Sequence, residues 1–333
     1  MNFSDQKFKV IPNNKIEINT YVDGKGPLII LAHGWPESWY SWRYQITYFV
    51  DNGFTVAAPD MRGYGKTSKP YEIESYNIME LTSDILAIAN HLGEEKFNLV
   101  GHDWGAPVVW NTALYHSERI NKVCGMSVPY QVSKMPPIET MKFLFKDVFF
   151  YMLYFQKEGE AEAEFEKDLR KALELTYFSG DARGMLKRFE NPEETLDKDP
   201  NSKFLEGAFE FDVYPEWISK EEMDYFVSQF EVSGMRGPIN RYRALEIDFE
   251  DLKDFKDAKL KQPASFITGS LDPVNFFNGV GYKDADDIKS TIGEYYENLI
   301  DIQMIEGSGH WVQQEKPEEV NKYLLDFLKK VTQ

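Results

Sequence analysis

The stretch Gly101-His102-Asp103-Trp104-Gly105 decides the fold, because it is typical of a sharp turn between a strand and a helix. It follows an apolar run at 97–100, and Pro107 lies in the first turn of the helical pattern behind it. Small residues two positions before and two after a central side chain are what such a turn requires. The turn holds that central side chain strained and exposed. Here the central residue is Asp103, and no Gly-x-Ser-x-Gly occurs in the chain.

Short apolar runs alternate with helical patterns on both sides of this turn, which is typical of a mostly parallel sheet flanked by helices. The predicted strands are residues 15–22, 28–32, 55–59, 97–102, 122–127, 265–268 and 301–305. Apolar residues recur at helical spacing from Ile78 to Leu92, and Gly93 can cap that helix. A last helix carries an apolar face behind Pro317. The pattern therefore predicts an α/β fold.

The alternation stops near residue 130 and resumes near residue 260. The segment between is rich in aromatic residues, Glu and Lys, and it has no strand-like runs. Residues 141–155, 161–178 and 220–232 are predicted helices, and residues 191–207 a loop. We therefore predict a core of residues 1–130 and 260–333, into which a helical cap of residues 131–259 is inserted.

A carboxylate nucleophile indicates a particular class of reaction. A carboxylate suits displacement at a saturated carbon, and the ester that it leaves must then be cleaved by water. Epoxides and alkyl halides are the natural electrophiles. Asp103 could instead merely cap the following helix, but a cap would not need glycines on both sides.

Two further residues follow in the order of nucleophile, acid and histidine. Asp272 comes after the strand 265–268, and His310 lies in the glycine-rich stretch Gly307-Ser308-Gly309-His310-Trp311 after the strand 301–305. Both positions are at the carboxyl ends of strands, where such sheets place their sites. We expect His310 to deprotonate a water molecule and Asp272 to orient its ring.

Backbone amides are expected to form the oxyanion hole. His33-Gly34-Trp35-Pro36 follows the strand 28–32. The amides of Trp35 and Trp104 can converge on one oxygen of the Asp103 ester as water attacks it.

The sequence resembles the epoxide hydrolases of the α/β-hydrolase superfamily. The resemblance lies in the segments 33–43, 60–65, 101–105 and 309–317, and it extends from about residue 7 to residue 330. It implies an α/β-hydrolase fold with a helical cap. It also implies the conversion of an epoxide to a vicinal diol through the Asp103 ester.

In that family two cap tyrosines hydrogen-bond the epoxide oxygen. The resemblance gives these roles to Tyr242, in Gly237-Pro238-Ile239-Asn240-Arg241-Tyr242-Arg243, and to Tyr151, with Tyr154 one helical turn on as the rival. Tyr154 and Met152 are expected to contact substrate together with Trp35 and Trp104.

Three residues depart from the family pattern. Trp35 replaces the more usual Phe, Arg241 stands where Trp is frequent, and Met152 stands where Gln is common. The stretch 273–298 also looks longer than is typical. These departures leave the mechanism intact and bear on substrate preference.

Other functions remain open on the sequence alone. A haloalkane dehalogenase shares the Asp-Trp turn and the ester chemistry, but the paired tyrosines fit an epoxide oxygen better. A fluoroacetate dehalogenase would prefer a cation where Trp104 stands. A non-catalytic ligand-binding homologue would not need the complete set of Asp103, Asp272 and His310.

Composition excludes some partners. The net charge of −18 disfavours nucleic acid and anionic membrane surfaces. No stretch approaches the roughly 18 apolar residues of a membrane span. The single cysteine, Cys124, permits no intrachain disulfide, and the start of the chain has no signal-peptide pattern, so a cytoplasmic location is expected. We predict no cofactor and no metal site. A homodimer formed through the cap is compatible with the sequence, although no pattern specifies it.

Overall fold

The computed structural model describes residues 3–190, 198–277 and 281–330. Its centre is one eight-stranded sheet in the order β1-β2-β4-β3-β5-β6-β7-β8. The strands are β1 Phe8–Asn13, β2 Ile16–Gly24, β3 Leu28–Ala32, β4 Thr55–Pro59, β5 Phe97–His102, β6 Ile120–Met126, β7 Ala264–Gly269 and β8 Leu299–Ile305. The two pairings of β2, with β1 and with β4, are antiparallel, and all the others are parallel.

Fourteen α-helices accompany the sheet in the described residues. Those of the first part of the chain are α1 Arg43–Asp51, α2 Ile78–His91 and α3 Gly105–Tyr115. Those between β6 and β7 are α4 Pro137–Leu144, α5 Tyr151–Tyr154, α6 Glu160–Glu166, α7 Leu169–Gly180, α8 Ala182–Glu190, α9 Lys220–Ser233, α10 Arg236–Arg243 and α11 Leu245–Leu252. The last are α12 Ala285–Ile292, α13 Val312–Glu315 and α14 Pro317–Lys329.

Both faces of the sheet are covered, which explains why its central strands are apolar throughout. In β3 the side chains of Leu28 and Ile30 pack with α2 and α3, while Ile29 and Leu31 pack with α1 and α14. All five residues of β3 are fully buried. Because β3, β5, β7 and β8 run parallel in one sheet, their carboxyl ends lie along one edge, and the turns that follow them can build a common site.

The predicted α/β fold is confirmed. All seven predicted strands are present within two residues of their expected ends. Gly93 follows α2 with a φ of 77°, as expected of a residue that ends a helix. The strand β1 was not predicted. It is an edge strand in which three of the six residues are exposed, and Pro12 within its sequence argues against a strand.

The helical segment between β6 and β7 differs from the prediction in two places. A single helix over 141–155 is wrong, because α4 ends at Leu144 and α5 begins only at Tyr151. The rings of Phe145 and Phe150 stack at 3.9 Å across this break. A single helix over 161–178 is also wrong, because α6 ends at Glu166 and α7 begins at Leu169, with Asp168 capping α7 by accepting a hydrogen bond from the Lys171 amide.

The third predicted helix of this segment, over 220–232, is confirmed by α9. In the predicted loop 191–207, residues 191–197 lie outside the described residues, and 198–207 hold neither helix nor strand. The long stretch 273–298 contains α12, and its residues 278–280 lie outside the described residues. The division into a core and a cap stays a prediction.

Candidate active site

The turn between β5 and α3 holds Asp103 in a left-handed conformation, with a φ of 48°. Such a backbone costs a non-glycine residue energy and is typical of functional turns. The glycines on either side are required by space. A Cβ atom on Gly101 would lie 2.2 Å from the carbonyl oxygen of Gly105, and one on Gly105 would lie 2.0 Å from that of Ala32. No side chain caps α3, so the structure gives no support to a helix-capping role for Asp103.

Three turns at the edge of the sheet bring Asp103, His310 and Asp272 together. The Nδ1 atom of His310 lies 2.9 Å from the Oδ1 atom of Asp272. On the other side of the ring, Nε2 lies 3.5 Å from the Oδ2 atom of Asp103. All three side chains are buried. The imidazole ring therefore lies between two carboxylates.

The charges of this group reinforce one another. Burial raises the pKa of the Asp103 and Asp272 carboxyl groups, but the neighbouring His310 outweighs it and holds both pKa values below the ordinary range. Burial alone would lower the pKa of His310, and the two carboxylates raise it well above its usual value. These shifts favour a resting site with two carboxylates and an imidazolium.

The turn after β3 supplies an amide to the nucleophile. The Trp35 amide donates a hydrogen bond of 2.7 Å to the Oδ1 atom of Asp103. Gly34 permits this approach, because a Cβ atom there would lie 2.4 Å from the Asp103 side chain. Among the described residues, no hydrogen bond joins the Trp104 amide to Asp103 in this resting state. One of the two expected oxyanion donors is thus in contact already.

The ring of Trp104 contacts two residues of α10. It meets the Tyr242 ring edge to face at 5.1 Å between centroids. The Arg241 guanidinium lies 4.5 Å from the centre of the Trp104 ring and pairs with the Asp248 carboxylate. The arginine that replaces the frequent tryptophan is thus neutralised and supports a wall of the site.

The structure brings together the two tyrosines indicated by the resemblance. The rings of Tyr151 and Tyr242 lie 5.7 Å apart. Burial raises the pKa of both phenols well above the usual value, and the nearby charge of Asp103 raises it further. Tyr154 has different surroundings: burial and the Glu164 carboxylate raise its pKa. The contact with Tyr242 therefore favours Tyr151 over Tyr154.

Met152 is partly buried and lies beside Tyr151 on α5. Its carbonyl group accepts a hydrogen bond of 2.9 Å from the Gln156 side chain. The same amide group of Gln156 donates to the Tyr242 carbonyl at 3.0 Å. Gln156 thus ties the helices that carry the two tyrosines.

Ser127 is part of the site although its sequence gives no functional signal. It follows β6 with a φ of 68° and is fully buried. Its hydroxyl oxygen lies 3.0 Å from the Nδ1 atom of His310. It also donates to Asp272, which helps to lower the pKa of that carboxyl group. A serine at a strand end carries no functional signal in the sequence. Only the order of the sheet, in which β6 lies between β5 and β7, places Ser127 beside the other residues of the site.

A second buried pair, Glu37 and His102, supports the histidine turn. The Nδ1 atom of His102 contacts the Glu37 carboxylate, and its Nε2 atom lies 2.7 Å from the His310 carbonyl oxygen. Glu37 lies in the segment 33–43 and His102 in the segment 101–105, which both carry the family resemblance, but the sequence alone gives neither residue a role.

Within the described residues, no group of three or more His, Cys, Asp or Glu side chains is arranged to hold a metal ion. The described helices include none that is both long and apolar enough to cross a bilayer.

The chain is similar to known proteins over most of its length. The profile of the α/β hydrolase fold family matches residues 27–317. Epoxide hydrolase A of Mycobacterium tuberculosis is 37% identical over 328 residues, which are 96% of each chain. The bifunctional epoxide hydrolase 2 of Rattus norvegicus is 36% identical over 92% of this chain and 52% of its own length.

Solved structures agree with the sequence relatives. The crystal structure of epoxide hydrolase A from Mycobacterium thermoresistibile has a TM-score of 0.89 at 35% identity and covers 98% of both chains. An epoxide hydrolase from an endophytic Streptomyces has a TM-score of 0.89 at 34% identity, and the match covers 96% of this chain and 94% of that one. The resemblance noted in the sequence is thereby confirmed. The chain belongs to the epoxide hydrolase family of the α/β-hydrolase fold.

Proposed function

We propose that the protein hydrolyses epoxides to vicinal diols through a covalent ester on Asp103. The observation that carries this proposal is a buried carboxylate at the position of the nucleophile, with one oxygen on the Trp35 amide and the other beside His310. Tyr151 and Tyr242 lie close enough for the Asp103 charge to raise their pKa values. Their hydroxyl groups can therefore donate a hydrogen bond or a proton to the oxygen of a substrate bound at Asp103.

The first step forms the ester. The Asp103 oxygen beside His310 attacks an epoxide carbon, and the ring bond from that carbon to oxygen breaks. A phenol hydroxyl of Tyr151 or Tyr242 protonates the alkoxide, and the imidazolium supplies the proton that restores the phenol. The other Asp103 oxygen stays on the Trp35 amide and becomes the carbonyl oxygen of the ester.

The second step cleaves the ester. Esterification removes the charge of Asp103, which is one of the two charges that hold the proton on His310. The neutral imidazole takes a proton from water, and the resulting hydroxide adds to the ester carbon. The amides of Trp35 and Trp104 stabilise the oxyanion. Collapse breaks the ester bond, the leaving alkoxide takes the proton from His310, and the diol is released. The proton of the new Asp103 carboxylic acid then passes to His310, which restores the carboxylate and the imidazolium.

The helical segment fits the function of a cap over this site. Tyr151 on α5 and Tyr242 on α10 both come from the segment between β6 and β7. We therefore assign residues 131–259 to a cap domain that supplies the two phenols. Met152 and Tyr154 of the cap join Trp35 and Trp104 of the core as expected substrate contacts.

We also propose a cytoplasmic location for the protein. Cys124, the one cysteine of the chain, is buried as a free thiol, which is in keeping with a cytoplasmic protein. The homodimer stays a prediction.

The rival functions are less well supported. A haloalkane dehalogenase has a halide to stabilise, and a pair of phenols matches an alkoxide better than a halide. The curated relatives and the solved structures described above are named epoxide hydrolases. A non-catalytic homologue would have no need to keep Asp103, His310 and Asp272 in contact.

The proposal is tested by trapping the ester. His310→Gln removes the base, so we expect the ester to form and to persist. After mixing with styrene oxide and an acid quench, peptide mass spectrometry should find one substrate mass added on Asp103. The wild-type protein should convert the same epoxide to diol, and a panel that includes haloalkanes should release no halide.

A matched control is His91→Gln, because His91 is an exposed histidine at the end of α2. It should turn over like the wild type and retain no mass increment. An adduct on a residue other than Asp103 would refute the covalent mechanism, and diol production by His310→Gln at the wild-type rate would refute the role of His310 as the base.

A further inference from the structure

The backbone on both sides of His310 is held by one carboxylate. Glu315, the last residue of α13, accepts a hydrogen bond of 3.0 Å from the Gly309 amide on Oε2. Its Oε1 atom accepts one of 3.0 Å from the Trp311 amide. The peptide groups before and after His310 are therefore fixed by the two oxygens of a single side chain.

The same carboxylate reaches the helical segment between β6 and β7. Its Oε2 atom also accepts a hydrogen bond of 3.1 Å from the amide of Ala182, the first residue of α8. The contact between the two segments is close: a Cβ atom on Gly309 would lie 2.4 Å from the Ala182 nitrogen. The His310 amide itself donates to the Gly180 carbonyl at 2.9 Å. The histidine turn is thus bound to the α7–α8 junction at three points.

Glu315 holds this place without a cation. Among the described residues no lysine, arginine or histidine forms an ion pair with it, and its hydrogen bonds come from three backbone amides. Burial and the neighbouring Asp181 raise the pKa of Glu315 to about 7, although the amides act in the opposite direction. An acidic group that lies in such surroundings without a charged partner is expected at a functional or strained site.

We infer that Glu315 is a positioning residue for the base, and that it fixes the His310 turn to the first residue of α8. This inference rests on the proposed function, because it concerns the step in which His310 activates water. The His310 ring must keep its Nδ1 atom on Asp272 and its Nε2 atom toward the ester carbon. With Glu315 in place, the helix that packs against the turn and the base move as one unit.

The test compares the two chemical steps in Glu315→Gln. The amide side chain has one acceptor oxygen, so it cannot bind the amides of Gly309 and Trp311 on two oxygens. A displacement of about 1 Å can cost roughly a hundredfold in rate, and we expect ester hydrolysis to slow at least about tenfold. Ester formation needs no proton abstraction by His310, so its rate should change much less. In the steady state, kcat and KM should fall together while kcat/KM is retained.

Rapid quenching with styrene oxide measures both steps, because the mass increment on Asp103 reports ester formation and its decay reports hydrolysis. Glu318→Gln is the matched control, since Glu318 is an exposed carboxylate in the first turn of α14. It should leave both steps unchanged. Ala182→Pro removes the α8 donor and places a ring carbon where the amide hydrogen was, so it breaks the contact between α8 and the Glu315 carboxylate. Proline is tolerated at the first position of a helix, and Asp181 before it already has an extended ψ of 172°.

We expect Ala182→Pro to slow hydrolysis selectively too, and it serves as an independent test if Glu315→Gln fails to fold. Wild-type hydrolysis rates in Glu315→Gln, or an equal slowing of both steps, would overturn the positioning role. Wild-type hydrolysis in Ala182→Pro would overturn the link to α8. If His310→Gln never forms an Asp103 ester, the proposed function itself has failed, which is a separate result.

Discussion

Two phenol groups share the charge that develops on a substrate oxygen in the proposed mechanism. Either Tyr151 or Tyr242 can donate to that oxygen, so the loss of one should be survivable. Removal of an oxyanion-type donor typically costs roughly 10²–10³ in rate. We expect Tyr151→Phe and Tyr242→Phe to be slow but measurable and the double variant to be close to inactive. Single-turnover quenching should place the loss in ester formation, not in ester hydrolysis.

Tyr154→Phe is the matched control for this experiment, because Tyr154 lies one turn from Tyr151 and interacts with Glu164 instead of Tyr242. It should retain nearly the wild-type rate. The assignment would be in error by one helical turn if Tyr154→Phe were damaging and Tyr151→Phe silent. Full epoxide turnover in the Tyr151→Phe, Tyr242→Phe double variant would reopen the dehalogenase interpretation.

The residues of the triad could be predicted from the sequence because each has a local signature. Asp103 has glycines at the positions where a Cβ would collide with backbone, and His310 follows a strand in a glycine-rich turn. Ser127 has no such signature, since its partner His310 lies 183 positions away. Glu315 was visible as part of a family motif, but its three amide contacts depend on how α8 packs. Tertiary contacts of this kind leave no periodicity in the chain.

Ser127, which follows β6, has a strained backbone, and two substitutions can separate the energetic cost of that strain from the role of the hydroxyl group. Ser127 has a φ of 68°, and a left-handed backbone costs a non-glycine residue about 1–2 kcal/mol. Ser127→Ala keeps the strain and loses the hydroxyl, while Ser127→Gly loses both. We expect Ser127→Gly to be more stable than Ser127→Ala by about 1 kcal/mol in urea unfolding.

The two variants should nevertheless lose similar activity, because both lack the hydroxyl beside His310 and Asp272. A buried hydrogen bond is worth about 1 kcal/mol, which corresponds to roughly a fivefold slower hydrolysis of the ester. If Ser127→Gly hydrolysed the ester at the wild-type rate, the Ser127 hydroxyl group would not be needed to position His310 and Asp272. Equal stability of the two variants would show that the backbone relaxes without cost.

At the level of helices and strands, the parallel sheet was predictable because its buried strands are continuous apolar runs. The helices between β6 and β7 were harder. Residues 141–155 keep a helical pattern through the break, since the stacking of Phe145 on Phe150 is a contact of folded rings. The break at Asp168 did carry a signal: aspartate directly before a helical run is a capping residue, and the structure uses it in that way.

The molecule as a whole carries an excess of negative charge, with 55 acidic and 37 basic residues. Self-repulsion of this excess changes with pH in every variant and complicates any single stability curve. A difference between two proteins that share this background isolates one group. His310 is suited to that comparison, because it is buried and its pKa is raised well above 6.5 by Asp272 and Asp103 against the effect of burial.

The difference in stability between the wild type and His310→Gln should depend on pH, and urea unfolding of both proteins measures it. A group whose pKa is raised in the folded state contributes its full stability below the unfolded value of about 6.5 and loses it as pH rises toward the folded value. The stability advantage of the wild type over His310→Gln should therefore be largest near pH 6. It should decline above that pH by at most about 1.4 kcal/mol per pH unit. In the wild type Asp103 and Asp272 have lowered pKa values, so their own contributions are lost only in acid. In His310→Gln burial is no longer outweighed and raises the pKa of both carboxyl groups, so the decline is read on the alkaline side of the window. An advantage that stays constant from about pH 6 to pH 9, or that grows with pH, would mean that the resting site does not hold an imidazolium between its two carboxylates.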